Sequence, residues 1–133
     1  MTYQFLIVDD EYFVRQRIRL CIPWKEYGFE CAGEAANVEQ ALHFLQTVPI
    51  DLVLLDISMP GPNGLELLRM MKEKNSQAKF IILSGFATFE YARQAIAYNV
   101  TNYLLKPINT EELIQAITGI RETLDKNNHL KQE

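Results

Sequence analysis

Short apolar runs punctuate the chain: "FLIV" at 5–8, "LVLL" at 52–55, "FIIL" at 80–83 and "YLL" at 103–105. Runs of this length that do not alternate with polar residues describe strands covered on both faces, as in a parallel sheet with helices on each side. The stretch "FECAGEA" at 29–35 differs, because Phe29, Cys31, Gly33 and Ala35 alternate with Glu30 and Glu34. That pattern predicts an edge strand.

Between the runs lie helical patterns at the spacing of βαβ units. The first covers about 11–21. Asn37 is placed to cap a second helix carrying Val38, Ala41, Leu42 and Leu45 inward. Asn63-Gly64 opens a third with Leu65, Leu68 and Met71 on its buried face. A fourth runs from about Thr88 to Tyr98. The fifth is signalled by Thr110 at the cap and by Glu111 and Glu112 in the first turn, where acidic groups complement the helix dipole. Its Leu113, Ile117, Ile120 and Leu124 fall at steps of four, three and four, a heptad seam. The plainer reading of that seam is a face packed on the sheet; the alternative is a dimer contact. After Leu124 the sequence "DKNNHLKQE" is polar, which predicts a fraying helix end or the start of a linker over 125–133.

Five strands alternating with five helices describe a single doubly wound α/β domain over 1–124. The polar second strand favours the flavodoxin-like sheet order 2-1-3-4-5. In such sheets function sits outside the carboxyl ends of the strands, near the switch point between the first and third.

Those carboxyl ends carry Asp9, Asp10 and Glu11 after the first strand, Asp56 after the third, Ser84 on the fourth and Lys106 after the fifth. Taken singly, Asp9, Asp10 or Ser84 reads as a helix cap and Lys106 as a surface charge. Asp56 resists such a reading. It follows four residues that would bury it and precedes a loop, "ISMPGPNG", in which Pro60, Gly61, Pro62 and Asn63-Gly64 forbid a helix. Three carboxylates gathered at one place repel unless a cation joins them, and a hard divalent ion, Mg2+ or Mn2+, suits a few carboxylate oxygens plus a phosphate oxygen. A carboxylate is also a competent nucleophile at phosphorus, ionised at neutral pH from a reference pKa of about 3.9 without help from a base. Lys106, Ser84 and the ion would stabilise the transferring group, so the set predicts phosphoryl transfer to Asp56.

Composition removes other classes. At 133 residues, 48% hydrophobic and 23% charged, the chain matches one globular domain, and no apolar run approaches the length that spans a bilayer. The start "MTYQFLIVDD" lacks the parts of a signal peptide, so a cytoplasmic location is expected. Cys21 and Cys31 form no C-x-x-C pair, His43 and His129 lie far from both, and neither a disulfide framework nor a zinc site is expected. With 13 basic and 17 acidic side chains the net charge of -4 has the wrong sign for holding nucleic acid, so any action on DNA belongs to another segment.

The residues "LIVDDE", "DLVLLDISMPGPNG", "ILSGF" and "YLLKP" together resemble the receiver domain of two-component response regulators, and the resemblance runs from about Tyr3 to Leu124. It implies that Asp9, Asp10, Asp56 and the carbonyl of Ser58 hold Mg2+, that Asp56 accepts the phosphoryl group from a sensor histidine kinase, and that Ser84 and Lys106 bind its oxygens. It makes Ser84 and Tyr103 the switch pair, although Tyr103 also reads as an aromatic plugging a strand end. Ser58 and Phe86 would flank the path of water and tune dephosphorylation. The face made by the fourth helix, fifth strand and fifth helix would change partners on phosphorylation and permits a homodimer. "IPWKEYGFECAGEAANVEQAL" and "SGFATFEYARQAI" resemble the subgroup that precedes an arabinose-regulator-type (AraC-type) helix-turn-helix domain. Two other readings stand beside this one. A haloacid-dehalogenase-type phosphatase also uses a strand-end aspartate, but it needs a second aspartate two residues on, where this chain has Ser58. An interaction module that is never phosphorylated would keep the same fold.

Overall fold

The computed structural model describes residues 2–57, 64–74, 77–85 and 102–132, with side chains through 129. The strands Tyr3–Val8 (β1), Phe29–Ala35 (β2), Leu52–Asp56 (β3), Lys79–Ser84 (β4) and Asn102–Leu105 (β5) form one parallel sheet in the order β2-β1-β3-β4-β5. This is the flavodoxin-like order expected from the sequence, with β2 at an edge. The helices are Tyr12–Leu20 (α1), Val38–Thr47 (α2), Gly64–Glu73 (α3) and Thr110–Gln132 (α4). The helix expected over 88–98 lies outside the described residues, and so does Asn63. Among the described residues no helix is long and apolar enough to cross a membrane.

The unbroken apolar runs divide between two cores. Phe5 and Ile7, Leu52 and Leu54, and Ile81 and Leu83 face one side with Ile18 of α1 and the seam of α4; Leu6 and Val8, Val53 and Leu55, and Phe80 and Ile82 face the other with residues of α2 and α3. Successive side chains of a strand point to opposite faces, so a strand sandwiched between helices must be apolar at every position. In α3 the expected Leu65, Leu68 and Met71 are buried, and Leu67 joins them. In α2, Asn37 caps as expected, its Oδ1 accepting the Gln40 N–H at 2.8 Å; Val38 and Ala41 are buried and Leu42 and Leu45 half-buried.

Three features depart from or extend the sequence reading. A short 3-10 turn, Trp24–Tyr27, follows α1; its Trp24 ring stacks on Phe5 with centroids 4.1 Å apart, and its indole N–H donates to the Ile18 carbonyl at 3.0 Å. That bond satisfies one of the carbonyls left over at the end of α1. The cap of α4 is Asn109 rather than Thr110: the Asn109 Oδ1 accepts the Glu112 N–H at 3.1 Å, and Thr110 is already helical. An amide oxygen one residue earlier outcompetes the hydroxyl because Pro107-Ile108 turns the chain to bring it there. Finally, α4 continues to Gln132, and its last turns are tied to the sheet where the Tyr3 hydroxyl donates to Asp125 and accepts from Asn128 Nδ2 at 3.1 Å. Leu113, Ile117, Ile120 and Leu124 all lie in the first core, so the heptad seam is the face packed on the sheet.

Candidate functional site

β1 and β3 are neighbours in register, Val8 beside Leu55, so the residues that follow them leave the sheet together. Asp9, Asp10 and Asp56 each place a carboxylate oxygen within 4.8 Å of the others'. Asp9 and Asp56 are buried and Asp10 is exposed. The turn after β5, which contains the cis peptide Lys106-Pro107, delivers Lys106 to the same place. Its Nζ stands 2.7 Å from Asp9 Oδ2 and 3.5 Å from Asp56 Oδ2. Burial works against this ammonium, yet the hydrogen bond to Asp9 and the charge of Asp56 hold its pKa above the ordinary lysine value.

Ser84, the last residue of β4, is fully buried, and its carbonyl accepts the Lys106 N–H at 2.7 Å. Tyr103 in β5 pairs with Ile82 and is half-buried against the second core. The structure thus brings Asp9, Asp10, Asp56 and Lys106 into one cluster and sets Ser84 beside it, joined through the backbone of Lys106. Ser58 and Phe86 lie outside the described residues.

The chemistry of this donor set fits a divalent cation. Three carboxylates gather here with one ammonium paired to two of them, and carboxylate oxygens are the ligands a hard ion selects. Asp9, Asp10 and Asp56 would hold such an ion. Local structure supports the arrangement. Asp9 Oδ1 accepts the Glu11 N–H at 2.9 Å in the turn that precedes α1, and Gly64 packs so closely on β3 that a Cβ there would stand 2.8 Å from the Asp56 carbonyl oxygen.

The sequence reading passed over a second layer. Arg15 donates from Nη1 to the Asp9 carbonyl at 2.7 Å and from Nε to Glu34 Oε1 at 3.0 Å; Gln16 and Arg19 also donate to Glu34, at 2.8 and 3.1 Å. The available signal was Arg15, Gln16 and Arg19 on one face of α1 with a lone acidic pair, Glu30 and Glu34, on the edge strand. Beside the site an apolar cleft of about 430 Å³ opens between α1 and the β5–α4 turn, lined by Val14, Ile18, Pro107 and Ile108, and Phe13 is 83% exposed on α1.

Comparison with known proteins gives consistent findings. The family model described as response regulator receiver domain matches residues 5–118. The chain is 34% identical over 138 residues to the uncharacterized transcriptional regulatory protein YesN of Bacillus subtilis, covering 98% of this chain and 38% of that protein. It is 35% identical over 122 residues to the transcriptional regulatory protein HptR of Staphylococcus aureus, covering 92% and 48%. The solved REC domain of AraT, a response regulator from Geobacillus stearothermophilus, superposes with a TM-score of 0.89 at 34% identity, over 96% of this chain and 99% of that one. The chain spans less than half the length of these curated relatives.

Proposed function

The chain belongs to the response regulator receiver domain family, and from that premise we propose that Asp56 accepts a phosphoryl group from the phosphohistidine of a sensor kinase and thereby switches a transcription regulator. The observation that carries the reading is the Lys106 ammonium seated between the buried Asp9 and Asp56 carboxylates, at 2.7 and 3.5 Å. A carboxylate at the end of a central strand with an ammonium beside it has next to it a group able to stabilise the charge of the product.

In the transfer, a carboxylate oxygen of Asp56 bonds to phosphorus while the bond from phosphorus to the donor histidine nitrogen breaks; the imidazole leaves with its electron pair and takes a proton from solvent. Asp9, Asp10 and Asp56, with the Ser58 carbonyl as the family resemblance implies, would hold Mg2+ or Mn2+, which when bound would supply positive charge against the phosphoryl oxygens. Lys106 turns its hydrogen bonds from the carboxylates to those oxygens, and the Ser84 hydroxyl meets another. Movement of Ser84 toward the phosphoryl group vacates space for Tyr103, and the face built on the fourth predicted helix, β5 and α4 then exchanges partners, a second copy among them. By the family resemblance Ser58 and Phe86 would tune how long the acyl phosphate lasts. Beyond its own phosphorylation and slow autodephosphorylation the domain acts on no substrate. The exposed Phe13 and the apolar cleft beside the site form the surface that the donor would meet.

In this reading residues 1–124 are the receiver, and 125–133 are its polar helix end or the start of a linker to an output domain. The motifs "IPWKEYGFECAGEAANVEQAL" and "SGFATFEYARQAI" support an AraC-type helix-turn-helix there, and the similarity to the transcriptional regulatory proteins YesN and HptR supports the broader role in transcription. A cytoplasmic location goes with that role.

Rapid intact mass spectrometry after mixing the chain with acetyl phosphate and Mg2+ tests the reading. A gain of one phosphoryl group that requires Mg2+ and disappears in Asp56→Asn is expected. A wild-type chain that binds Mg2+ yet stays unmodified would leave a docking module in place of a switch.

A further inference from the structure

We propose that Arg15, braced by Glu34 of the edge strand, is the positioning residue that aims the Asp9-Asp10 backbone at the divalent cation. The inference rests on the reading of the acidic cluster as a cation site and extends it to residues outside that cluster.

Asp10 is the exposed member of the cluster, and among the described residues no side chain holds its carboxylate. Its direction is therefore set by its backbone, which begins at the Asp9 carbonyl. That carbonyl accepts from Arg15 Nη1 at 2.7 Å, while the Asp9 N–H donates to the Ala35 carbonyl at 3.0 Å. These two holds on the Asp9 backbone originate in adjacent residues of β2: Ala35 acts directly, and Glu34 acts by fixing Arg15 through the bond from Nε at 3.0 Å.

Arg15 is well placed for such work. Its side chain is 13% exposed, that of Glu34 17%, and its guanidinium lies 5.7 Å from the centre of the Tyr12 ring. The planar fork of a guanidinium serves two acceptors at a set angle, which a lysine ammonium does not reproduce. A simple tie between α1 and β2 would not need this residue's second bond. Gln16 and Arg19 already join α1 to Glu34, at 2.8 and 3.1 Å, and neither reaches Asp9. Groups that orient metal ligands from behind typically change affinity by about 10-fold to 100-fold when removed.

The experiment is a Mg2+ titration followed by the amide resonances of Asp10 and Ala35, in wild type, Arg15→Ala, Arg15→Lys, Arg19→Ala and Ile120→Val. The NMR spectrum itself reports that each variant is folded. Arg15→Ala should bind Mg2+ roughly tenfold more weakly. Arg15→Lys should recover part of the loss, and Arg19→Ala, which leaves the Asp9 bond in place, should stay within about twofold of wild type. Ile120→Val, a core change on α4, separates lowered stability from lowered affinity and should bind as wild type does. An unchanged affinity in Arg15→Ala, or an equal loss in Ile120→Val, would overturn the positioning role while leaving the cation site intact. A wild-type chain that binds no Mg2+ would overturn the role and the site together.

Discussion

Replacing Asp10 with asparagine should make the cation-free protein more stable and the cation-loaded protein less so. The carboxylate oxygens of Asp9, Asp10 and Asp56 lie within 4.8 Å of one another, and the Asp10 side chain has no partner among the described residues. At 4.8 Å two unit charges repel by about 3.5 kcal/mol with an effective dielectric constant near 20 and by under about 1 kcal/mol in bulk water. Asp10 is exposed, so its repulsion falls toward the lower figure, and the Lys106 ammonium lodged against Asp9 and Asp56 offsets part of the two repulsions, which places the gain of Asp10→Asn at about 1 kcal/mol or less without cation. Urea unfolding in EDTA measures it. The gain should shrink as salt is raised, because exposed charges are screened. In Mg2+ the order reverses: at 100 times its dissociation constant a bound ion stabilises the wild type by about 2.7 kcal/mol, and the variant, short of one ligand, loses most of that. A variant that is no more stable than wild type in EDTA would refute the account of the cluster as mutually repelling carboxylates waiting on a cation.

Other substitutions examine the surroundings. Gly64→Ala should cost about 1 to 3 kcal/mol and slow phosphorylation, because its Cβ would stand 2.8 Å from the Asp56 carbonyl oxygen and 2.9 Å from Ile57 Cα, backbone atoms that must shift; thermal melting and the mass-spectrometric time course read the two effects. Tyr3→Phe should cost about 1 kcal/mol and speed hydrogen exchange at 125–129 while leaving 113–120 protected, since the hydroxyl bonds both Asp125 and Asn128. Burial alone would raise the Glu34 pKa, but the bonds from Gln16, Arg15 and Arg19 hold it below the usual 4.5. A carboxyl with a depressed folded pKa adds stability that is complete above its unfolded value and lost as pH falls through the folded one. Glu34→Gln should therefore flatten the acid limb of stability below pH 4.5 in urea unfolding followed against pH.

The residues that form the acidic cluster and the sheet were legible because each obeys a local rule. A strand between two helix layers is apolar throughout, so an aspartate after Leu52–Leu55 stands out against its own neighbours, as Lys106 does after Tyr103–Leu105. The parallel order follows from the connections, and order places strand ends together. Arg15 broke no local rule: an arginine on a surface helix is ordinary, and its partners Asp9 and Glu34 are joined to it by tertiary geometry. The turns of α4 past Leu124 were left between a helix end and a linker for a related reason. They lack an apolar seam and are held by polar bonds to Tyr3, more than a hundred residues away. The cap at Asn109 rather than Thr110 is a smaller case, two adjacent residues of similar capping strength separated only by the path of the preceding turn.

The two cores explain why charge can gather at the strand ends without unfolding the domain. Residues of β1, β3 and β4 anchor the sheet on both faces, so the strands that deliver Asp9 and Asp56 are held by apolar packing that does not depend on the state of the site. What does depend on it is Lys106, which touches Asp9 and Asp56 through its side chain and Ser84 through its backbone, at 2.7, 3.5 and 2.7 Å. Under the proposed function, a phosphoryl group on Asp56 redirects the Lys106 ammonium, and the strain reaches β4 and β5 through a single residue. The edge position of β5, paired on one side with β4, leaves it freer to move than β3, which is paired on both sides. A switch built this way keeps its chemistry on the rigid centre of the sheet and its movement at the edge.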